Sequence, residues 1–242
     1  MTAGPGSQHR QFLDLYISQF KKSYLNDLVA YRKILLQRNK LLKDIAENPR
    51  HLNQLEAWDK LLIEHAIRIV EERRKFIESI RESALRHYQE FADGLTLELV
   101  YMPKTGIDNP DIGAAMVAQL AEYQTRELKA GLTLVGPHRD RLRINLNGRS
   151  VRLYGSRGQK RGVMLALKMA VAEYLANISA NDIALILDEA FAELDSYKSR
   201  SLMNALAGHK QVFIATAGEF AYRDKHIKRF LVSDGVVEEQ AE

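Results

Sequence analysis

The chain has 242 residues, of which 46% are hydrophobic and 27% charged, with 14 glycines and five prolines. This balance is typical of a folded globular protein of one large or two modest domains, and it excludes a disordered or collagen-like chain. The absence of cysteine excludes disulfides, thiol nucleophiles and cysteine-ligated metal centres. No apolar stretch approaches the ~18 residues of a membrane span, and the polar N-terminus has no signal-peptide core. We therefore expect a cytoplasmic protein.

The net charge of +4 is too small to indicate a nucleic-acid partner, but the basic residues are unevenly distributed. The segment from Arg139 to Arg161 contains eight basic side chains and a single acidic one, Asp140, which is a local excess of +7. Such a concentration favours a surface that meets phosphates. A solvated hairpin with arginines on its outer face explains the charge equally well.

The first part of the chain predicts long helices. Apolar residues recur at helical spacing over residues 12–45, with one break near Lys22, and again over 51–91, and the proline at 49 separates the two stretches. Two long helices with so short a connection form an antiparallel hairpin, closed through Leu55, Trp58 and Leu62. We expect the charged far face of the second helix to be solvated; it carries Glu71, Glu72, Arg73, Arg74 and Lys75.

The pattern then changes to β structure and back. Alternation predicts a strand over residues 95–101, and a helix over 112–130 ends at a well-placed glycine, Gly131. A strand over 132–135 follows, and then a hairpin whose two-residue turn is Asn147-Gly148. Beyond the helix 158–178, two apolar runs, 183–187 and 211–215, flank a helix at 196–206. They predict buried, parallel strands of a β-α-β unit. We expect a helical arm domain over 1–130 and an α/β domain over 131–242.

Three motifs carry candidate chemistry. The strand at 184–187 ends in Asp188-Glu189, where sheet ligands collect, and such a pair suits Mg²⁺ and a general base; alternatively the two acids cap the next helix. Upstream, the glycine-containing loop over 154–161 opens into a helix whose first amides and serine hydroxyl suit a phosphate. Downstream, Asp195 stands just before the next helix.

In this order and at this spacing the motifs resemble the signature loop, Walker B strand and D-loop of ABC-type ATPases. The resemblance narrows to the RecF family of bacterial recombination mediators. It is carried by GPHRD at 136–140, SRGQKR at 156–161, LALKMA at 165–170, and, near the start, by RQFLD at 10–14, YRKIL at 31–35 and QRNKLLK at 37–43. The implied fold class is α/β, the C-terminal part of a P-loop ABC-type ATPase head with a long antiparallel helical arm.

The resemblance implies an ATP-dependent DNA clamp that dimerises around ATP and Mg²⁺ and works with RecO and RecR to load RecA on gapped single-stranded DNA. Asp188 would hold the metal and Glu189 would act as the catalytic base. The loop residues Ser156, Arg157, Gly158 and Gln159, with Asp195, would contact nucleotide. The arginines assigned to DNA are Arg139, Arg141, Arg143 and Arg149.

The chain departs from the family pattern in one large respect. None of its glycines fits the phosphate-binding pattern G-x-x-x-x-G-K-[ST], and Thr216 stands where many ABC ATPases have a switch histidine. We expect a fragment that lacks the N-terminal ATPase segment and is inactive alone. His138, beside a proline, we interpret as structural. Two other functions stay open: a metal-dependent phosphoesterase or nuclease that uses Asp188, Glu189 and Asp195, and a non-catalytic helical scaffold.

Overall fold

The computed structural model describes residues 7–91, 94–106, 110–178, 183–188, 191, 196–206, 211–217 and 227–240. The chain forms two compact units, Met1–Asp182 and Ile183–Glu242. The predicted boundary at 130/131 lies inside the first unit, and the division into an arm and an ATPase domain stays a prediction. No helix among the described residues is long and apolar enough to cross a membrane.

The first unit is built on three helices: α1, Ser7–Phe20; α2, Lys22–Glu47; and α3, Leu55–Phe91. The predicted break near Lys22 is confirmed, and α3 begins at Leu55 rather than at 51 because a 3₁₀ helix, Pro49–Gln54, precedes it. Helices α2 and α3 pack antiparallel, with Trp58 against a buried apolar cluster at their connection. The cluster consists of Leu41, Leu42, Ile45 and Leu55.

A three-stranded antiparallel sheet follows: β1, Leu97–Met102; β2, Arg141–Leu146; and β3, Arg149–Ser150. The predicted turn is confirmed, since Asn147 and Gly148 have φ of 46° and 74°, as a type I′ hairpin requires. Helix α4, Ile112–Ala130, lies between β1 and β2 in the chain and ends at Gly131 with φ 61°. Two further helices complete the unit: α5, Val151–Tyr154, and α6, Arg157–Ile178.

The predicted strand over 132–135 is wrong. No neighbouring strand accepts from the amides of residues 132–134. The Leu132 amide donates to the Glu127 carbonyl at 3.3 Å, the Thr133 amide donates to Asn39 Oδ1 at 2.7 Å, and the Leu134 amide donates to Glu127 Oε1 at 2.6 Å. Four apolar-to-neutral residues in a row look like a short strand in the sequence. The side chains that replace the ladder come from α2 and α4, which no local pattern reveals.

The prediction that Arg73 is solvated is also wrong. Its side chain is 2% exposed and lies at the centre of a polar cluster between helices and loop. Nη2 donates to Asp14 at 2.7 Å, Nε to the Tyr24 hydroxyl at 2.9 Å, and Nη1 to the carbonyl of Pro137 at 2.8 Å. Asp140 Oδ2 lies 3.4 Å from Nη1. We call these residues the Arg73 cluster.

Electrostatics keep Arg73 charged although it is buried. Burial disfavours the cation, but the surrounding tyrosines and carboxylates raise the pKa of Arg73 well above its ordinary value. Burial raises the pKa of Asp140, yet its carboxylate accepts hydrogen bonds from the Tyr101 hydroxyl and, at 2.7 Å, from the amide of Lys104. Since these partners come from several elements, the cluster fixes α1, α2, α3, β1 and the segment before β2 in one arrangement.

A second buried arginine, Arg38, joins α2 to α3 and α4. It is fully buried, with Nε donating to Asp59 at 2.6 Å and Nη1 donating to Thr133 Oγ1 at 2.8 Å. Glu127, also fully buried, lies 2.7 Å from Nη1. The segment 131–140 is thus held between two buried arginines, Arg38 at one end and Arg73 at the other.

Helix α6 packs along α3, and a polar clamp closes the contact. Glu173 of α6 accepts hydrogen bonds from the Ser83 hydroxyl and from Arg86, the latter at 2.6 Å, and lies 3.1 Å from His87 Nε2. Partial burial opposes ionisation of Glu173, but these donors lower its pKa below the ordinary value. The helix that follows the predicted signature loop is therefore fixed to the longest helix of the chain.

The second unit contains β4, Ala184–Asp188; α7, Ser196–Leu206; β5, Gln211–Ala215; β6, Arg229–Ser233; and β7, Val236–Gln240. Strands β4 and β5 are parallel, as predicted. Their apolar sequence predicts burial in a complete sheet, and an uncovered face around residues 183–187 in a chain without the N-terminal strands. Ile186 is 78% exposed and Phe213 53% exposed, and only Leu187 in β4 is buried. Nothing in the described part of the second unit covers these two side chains. Such an apolar surface favours association with further polypeptide.

The Arg73 cluster predicts a large loss of stability on Arg73→Met. The substitution leaves Asp140 and Asp14 without their shared cation in a buried site, which costs about 3–5 kcal/mol. Urea unfolding followed by the fluorescence of Trp58 measures this loss. Lys75→Met is the matched control, because Lys75 is exposed on the same helix. Equal unfolding midpoints for the two variants would contradict the role given to the cluster.

Candidate functional site

The predicted signature loop is an exposed helix start. Ser156 precedes α6, and its side chain and that of Gln159 bond each other's backbone: Ser156 Oγ accepts from the Gln159 amide at 3.1 Å, and Gln159 Oε1 accepts from the Ser156 amide at 2.9 Å. This is a capping box. It uses one first-turn amide and leaves those of Arg157 and Gly158 without an intrahelical partner, so they can donate to an anion.

The glycines of the loop differ in what they do for the fold. A Cβ on Gly155 would lie 2.5 Å from the carbonyl oxygen of Val151, so the chain needs glycine there. A Cβ on Gly158 would meet only Ser156 Oγ, at 4.0 Å. A helical glycine without a packing reason costs roughly 0.5–1 kcal/mol relative to alanine. The space over Gly158 is therefore open to a group from outside the described chain.

The acidic residues are described only in part. Asp188 ends β4 with its side chain exposed, opposite Ala215 in β5, at the carboxyl edge where the sequence predicts a metal. Glu189 and Asp195 lie outside the described residues. Within the described ranges no three His, Asp or Glu side chains form a metal-binding group. A single exposed carboxylate suits a hard cation such as Mg²⁺ but does not by itself make a site.

The four predicted DNA contacts are all exposed, and three of them lie on the hairpin. Arg141 and Arg143 stand on the outer face of β2, while Leu142, Ile144 and Leu146 point into the core. Arg149 stands at the start of β3. Arg139 is also exposed, but Nη2 donates to the carbonyl of Thr133 at 3.2 Å, which ties it to the preceding loop.

The GPHRD segment at 136–140 is a structural turn. Gly136 has φ 121°, and a Cβ there would collide with the hydroxyl of Tyr31. His138 Nε2 lies 3.0 Å from the Thr133 carbonyl, to which it must donate, so Nδ1 accepts from the Tyr31 hydroxyl at 2.6 Å. Burial lowers the pKa of His138 to about 4 and keeps the ring neutral. The structure agrees with a structural role for this histidine.

The buried arginines are what the sequence reasoning missed. Arg38 and Arg73 sit in helices whose other Arg, Lys, Asp and Glu residues are exposed or half-buried, and their acceptors come from 21 to 95 residues away. A signal was available in the motifs that carry the family resemblance, since Arg38, Asp14 and Asp140 each lie inside one of them.

The architecture defines a class of protein: an α/β fold, the C-terminal part of an ABC-type ATPase head with a long helical arm. No family model matches the chain. Solved structures of the recombination mediator protein RecF are similar to it. The structure of RecF-ATPrS in the RecFOR pathway has a TM-score of 0.84 and is 32% identical, and the match covers 98% of this chain and 64% of that one. The structure of RecF-ATP in the same pathway has a TM-score of 0.84 and is 31% identical, and the match covers 98% of this chain and 63% of that one. The predicted fold class is confirmed.

Curated relatives point to the same protein. The chain is 35% identical over 228 residues to the DNA replication and repair protein RecF of Acetivibrio thermocellus, covering 92% of this chain and 61% of that protein. It is 34% identical over 220 residues to RecF of Lachnoclostridium phytofermentans, and the match covers 89% of this chain and 58% of that protein. The predicted resemblance to RecF is confirmed, and the chain spans about three fifths of the length of these relatives.

The two loop glycines predict opposite effects of the same substitution. Gly158→Ala should leave the thermal stability of the chain unchanged or raise it slightly, since alanine favours the helix and meets open space. Gly155→Ala should lower it, because the new methyl group meets the Val151 carbonyl. Thermal unfolding followed by circular dichroism compares the two. A Gly158→Ala variant as unstable as Gly155→Ala would show that glycine at 158 serves the fold and not an external ligand.

Proposed function

We propose that this chain is the signature-loop half of a RecF-type, ATP-dependent DNA-binding protein. The observation that carries the proposal is the exposed, capped loop at Ser156, with two unpaired amides and open space over Gly158. The similarity to RecF structures named for ATP and an ATP analogue supports nucleotide as the ligand. In this proposal the protein acts in the bacterial cytoplasm and helps RecO and RecR to load RecA on gapped single-stranded DNA.

The loop is suited to nucleotide held by another subunit. The chain contains no G-x-x-x-x-G-K-[ST] loop, so no segment of it supplies a complete phosphate cradle. The amides of Arg157 and Gly158 and the Ser156 hydroxyl point to the terminal phosphate as the group they contact. An exposed helix start that meets ligand from outside fits a dimer that forms around ATP, each subunit adding its loop to the other's nucleotide.

Asp188 is the residue of the described chain that would hold Mg²⁺. When bound, the metal neutralises charge on the transferring phosphate. Asp188 would orient it at the end of β4. Glu189, the next residue, would accept a proton from the attacking water, and Asp195 would contact the partner's nucleotide. These assignments come from the family motif and the position of β4.

The arginines of the hairpin are proposed to contact DNA. Arg141 and Arg143 project from one face of β2 at alternate positions, and Arg149 follows the turn. Arginines that face outward along a strand can meet successive phosphates, and they would bind the backbone without reading sequence. Arg139 is the fourth proposed contact, although its bond to Thr133 restricts its reach.

The isolated chain should not hydrolyse ATP. Turnover should appear when a polypeptide carrying the G-x-x-x-x-G-K-[ST] loop of a RecF relative is added, because that loop and its lysine supply most of the phosphate contacts. Steady-state phosphate release measures both conditions, with Ser156→Arg as the variant that blocks the loop. Robust turnover by the purified chain alone would contradict the proposed division of the site.

The same preparation separates the rival functions. A phosphoesterase or nuclease would cleave DNA with Mn²⁺ or Mg²⁺ in the absence of ATP, whereas the proposed function gives no cleavage with either metal. A scaffold would tolerate Ser156→Arg in the complemented ATPase assay. Cleavage abolished by Asp188→Asn would replace the proposal with a nuclease.

The DNA contacts predict a change in salt dependence. Removing three hairpin arginines should lower DNA affinity and flatten the slope of log affinity against log salt by up to about one unit per lost contact. Fluorescence anisotropy with a labelled gapped duplex measures the slope for the triple alanine variant of Arg141, Arg143 and Arg149. A variant with the same charge change on exposed α2 lysines, Lys22, Lys33 and Lys40, should keep it. An unchanged slope in the hairpin variant would show that these arginines are solvated and do not contact DNA.

A further inference from the structure

A groove of about 770 Å³ runs beside the outer edge of β2, within the first unit. Its walls come from the start of α1, from β2, from α5 and from the first turns of α6. This volume is in the range of ligand-binding clefts, roughly 300–1,000 Å³. None of the functions described above uses it as a groove.

The edge of β2 inside the groove is open. Strand β3 pairs only with Asn145 and Leu146, and no strand in the described part of the chain pairs with residues 141–144 on that side. Leu146 and Arg149 flank the two-residue turn, so their backbone groups bond each other. Backbone direction alternates along a strand, and Ile144 and Leu142 therefore present their N–H and C=O groups to the groove. The Leu142 backbone, through its carbonyl, favours the protonated form of His9 and so raises its pKa, although burial lowers that pKa overall, which agrees with this direction. The groups left for a partner are then the Leu142 amide and both backbone groups of Ile144.

The chemistry of the walls selects the ligand. The groove is basic: Arg141, Arg143, Arg152 and Lys160 line it, none of them makes an ion pair within the described residues, and no acid lines it. Two methionines, Met102 and Met164, supply adaptable apolar surface. No Phe, Tyr or Trp is among the lining residues, so the groove lacks the stacking surfaces that bind unpaired bases.

We propose that this groove binds an extended acidic segment of a partner protein, which adds a strand to the open edge of β2. Its backbone pairs with Ile144 and with the Leu142 amide, its acidic side chains meet Arg143 and Arg152, and its apolar side chains lie against the methionines. Strand addition draws affinity from main-chain hydrogen bonds and specificity from alternate side chains. Since Arg141 and Arg143 are also proposed DNA contacts, the bound segment and DNA would compete.

A fluorescein-labelled nonapeptide of alternating Glu and Val tests the proposal by anisotropy with the whole chain. Saturable binding is expected, weakened at least about tenfold by Arg143→Glu with Arg152→Glu, that is by ~1.4 kcal/mol. Arg149→Glu is the matched control: it is an exposed arginine of the same hairpin outside the groove, and it should change binding less than about twofold. Circular dichroism confirms that each variant is folded.

A second peptide separates strand addition from charge attraction. N-methylation at alternate residues keeps every charge but removes the amide donors of one edge, and it should abolish binding. Equal binding of the methylated peptide, equal loss with Arg149→Glu, or no saturable binding would overturn the proposal. The salt dependence of DNA binding is measured without peptide. Its result therefore tests the proposed DNA contacts independently of the proposed peptide groove.

Discussion

The buried cation of Arg73 is the constraint on which the first unit depends. A guanidinium excluded from water requires acceptors in every direction, and here they come from Asp14, Tyr24, the Pro137 carbonyl and Asp140. Those acceptors belong to elements far apart in the chain, so satisfying one charge fixes the helices, β1 and the 136–140 turn together. The cost of leaving any partner unpaired makes this arrangement specific as well as stable.

Short connections link the Arg73 cluster to the loop at Ser156. The 136–140 turn leads directly into β2, the hairpin into α5, and α5 into the capped start of α6. The Glu173 clamp fixes α6 to α3 further along. The loop at Ser156 is therefore exposed but supported by rigid elements on both sides, which is the arrangement that a binding site for an external phosphate needs.

Much of this could be predicted from the sequence because it depends on local pattern. The long helices, the Asn147-Gly148 hairpin, the Gly131 cap and the parallel pair β4 and β5 follow from periodicity and turn chemistry. The loop at Ser156 was found because a glycine-containing turn before a helix is itself a local signal. The remaining chemistry of the site depends on Glu189 and Asp195, which lie outside the described residues, and those roles stay predictions.

What could not be predicted depends on partners distant in sequence. Nothing near Arg73 distinguishes it from the half-buried Arg74 and the exposed Lys75 until the fold brings Asp140 to it. Residues 132–135 look like a strand because the acceptors that replace the ladder, Asn39 and Glu127, are on other helices. Strand β4 looks buried because its residues are apolar, but burial requires a covering layer, and a sequence pattern shows only that one is needed.

The central claim is that the Ser156 loop acts on nucleotide held by the opposite subunit, and mixing two inactive dimers tests it most directly. One protein carries Ser156→Arg and the other a substituted lysine in the phosphate-binding loop, each completed by the segment that supplies that loop. If the loop acts across the dimer, each is inactive alone, and the mixture regains up to about a quarter of the unmodified ATP turnover through the one intact site of each mixed dimer. If the mixture stays inactive while mixed dimers are shown to form, the loop does not act across the dimer and the account is wrong.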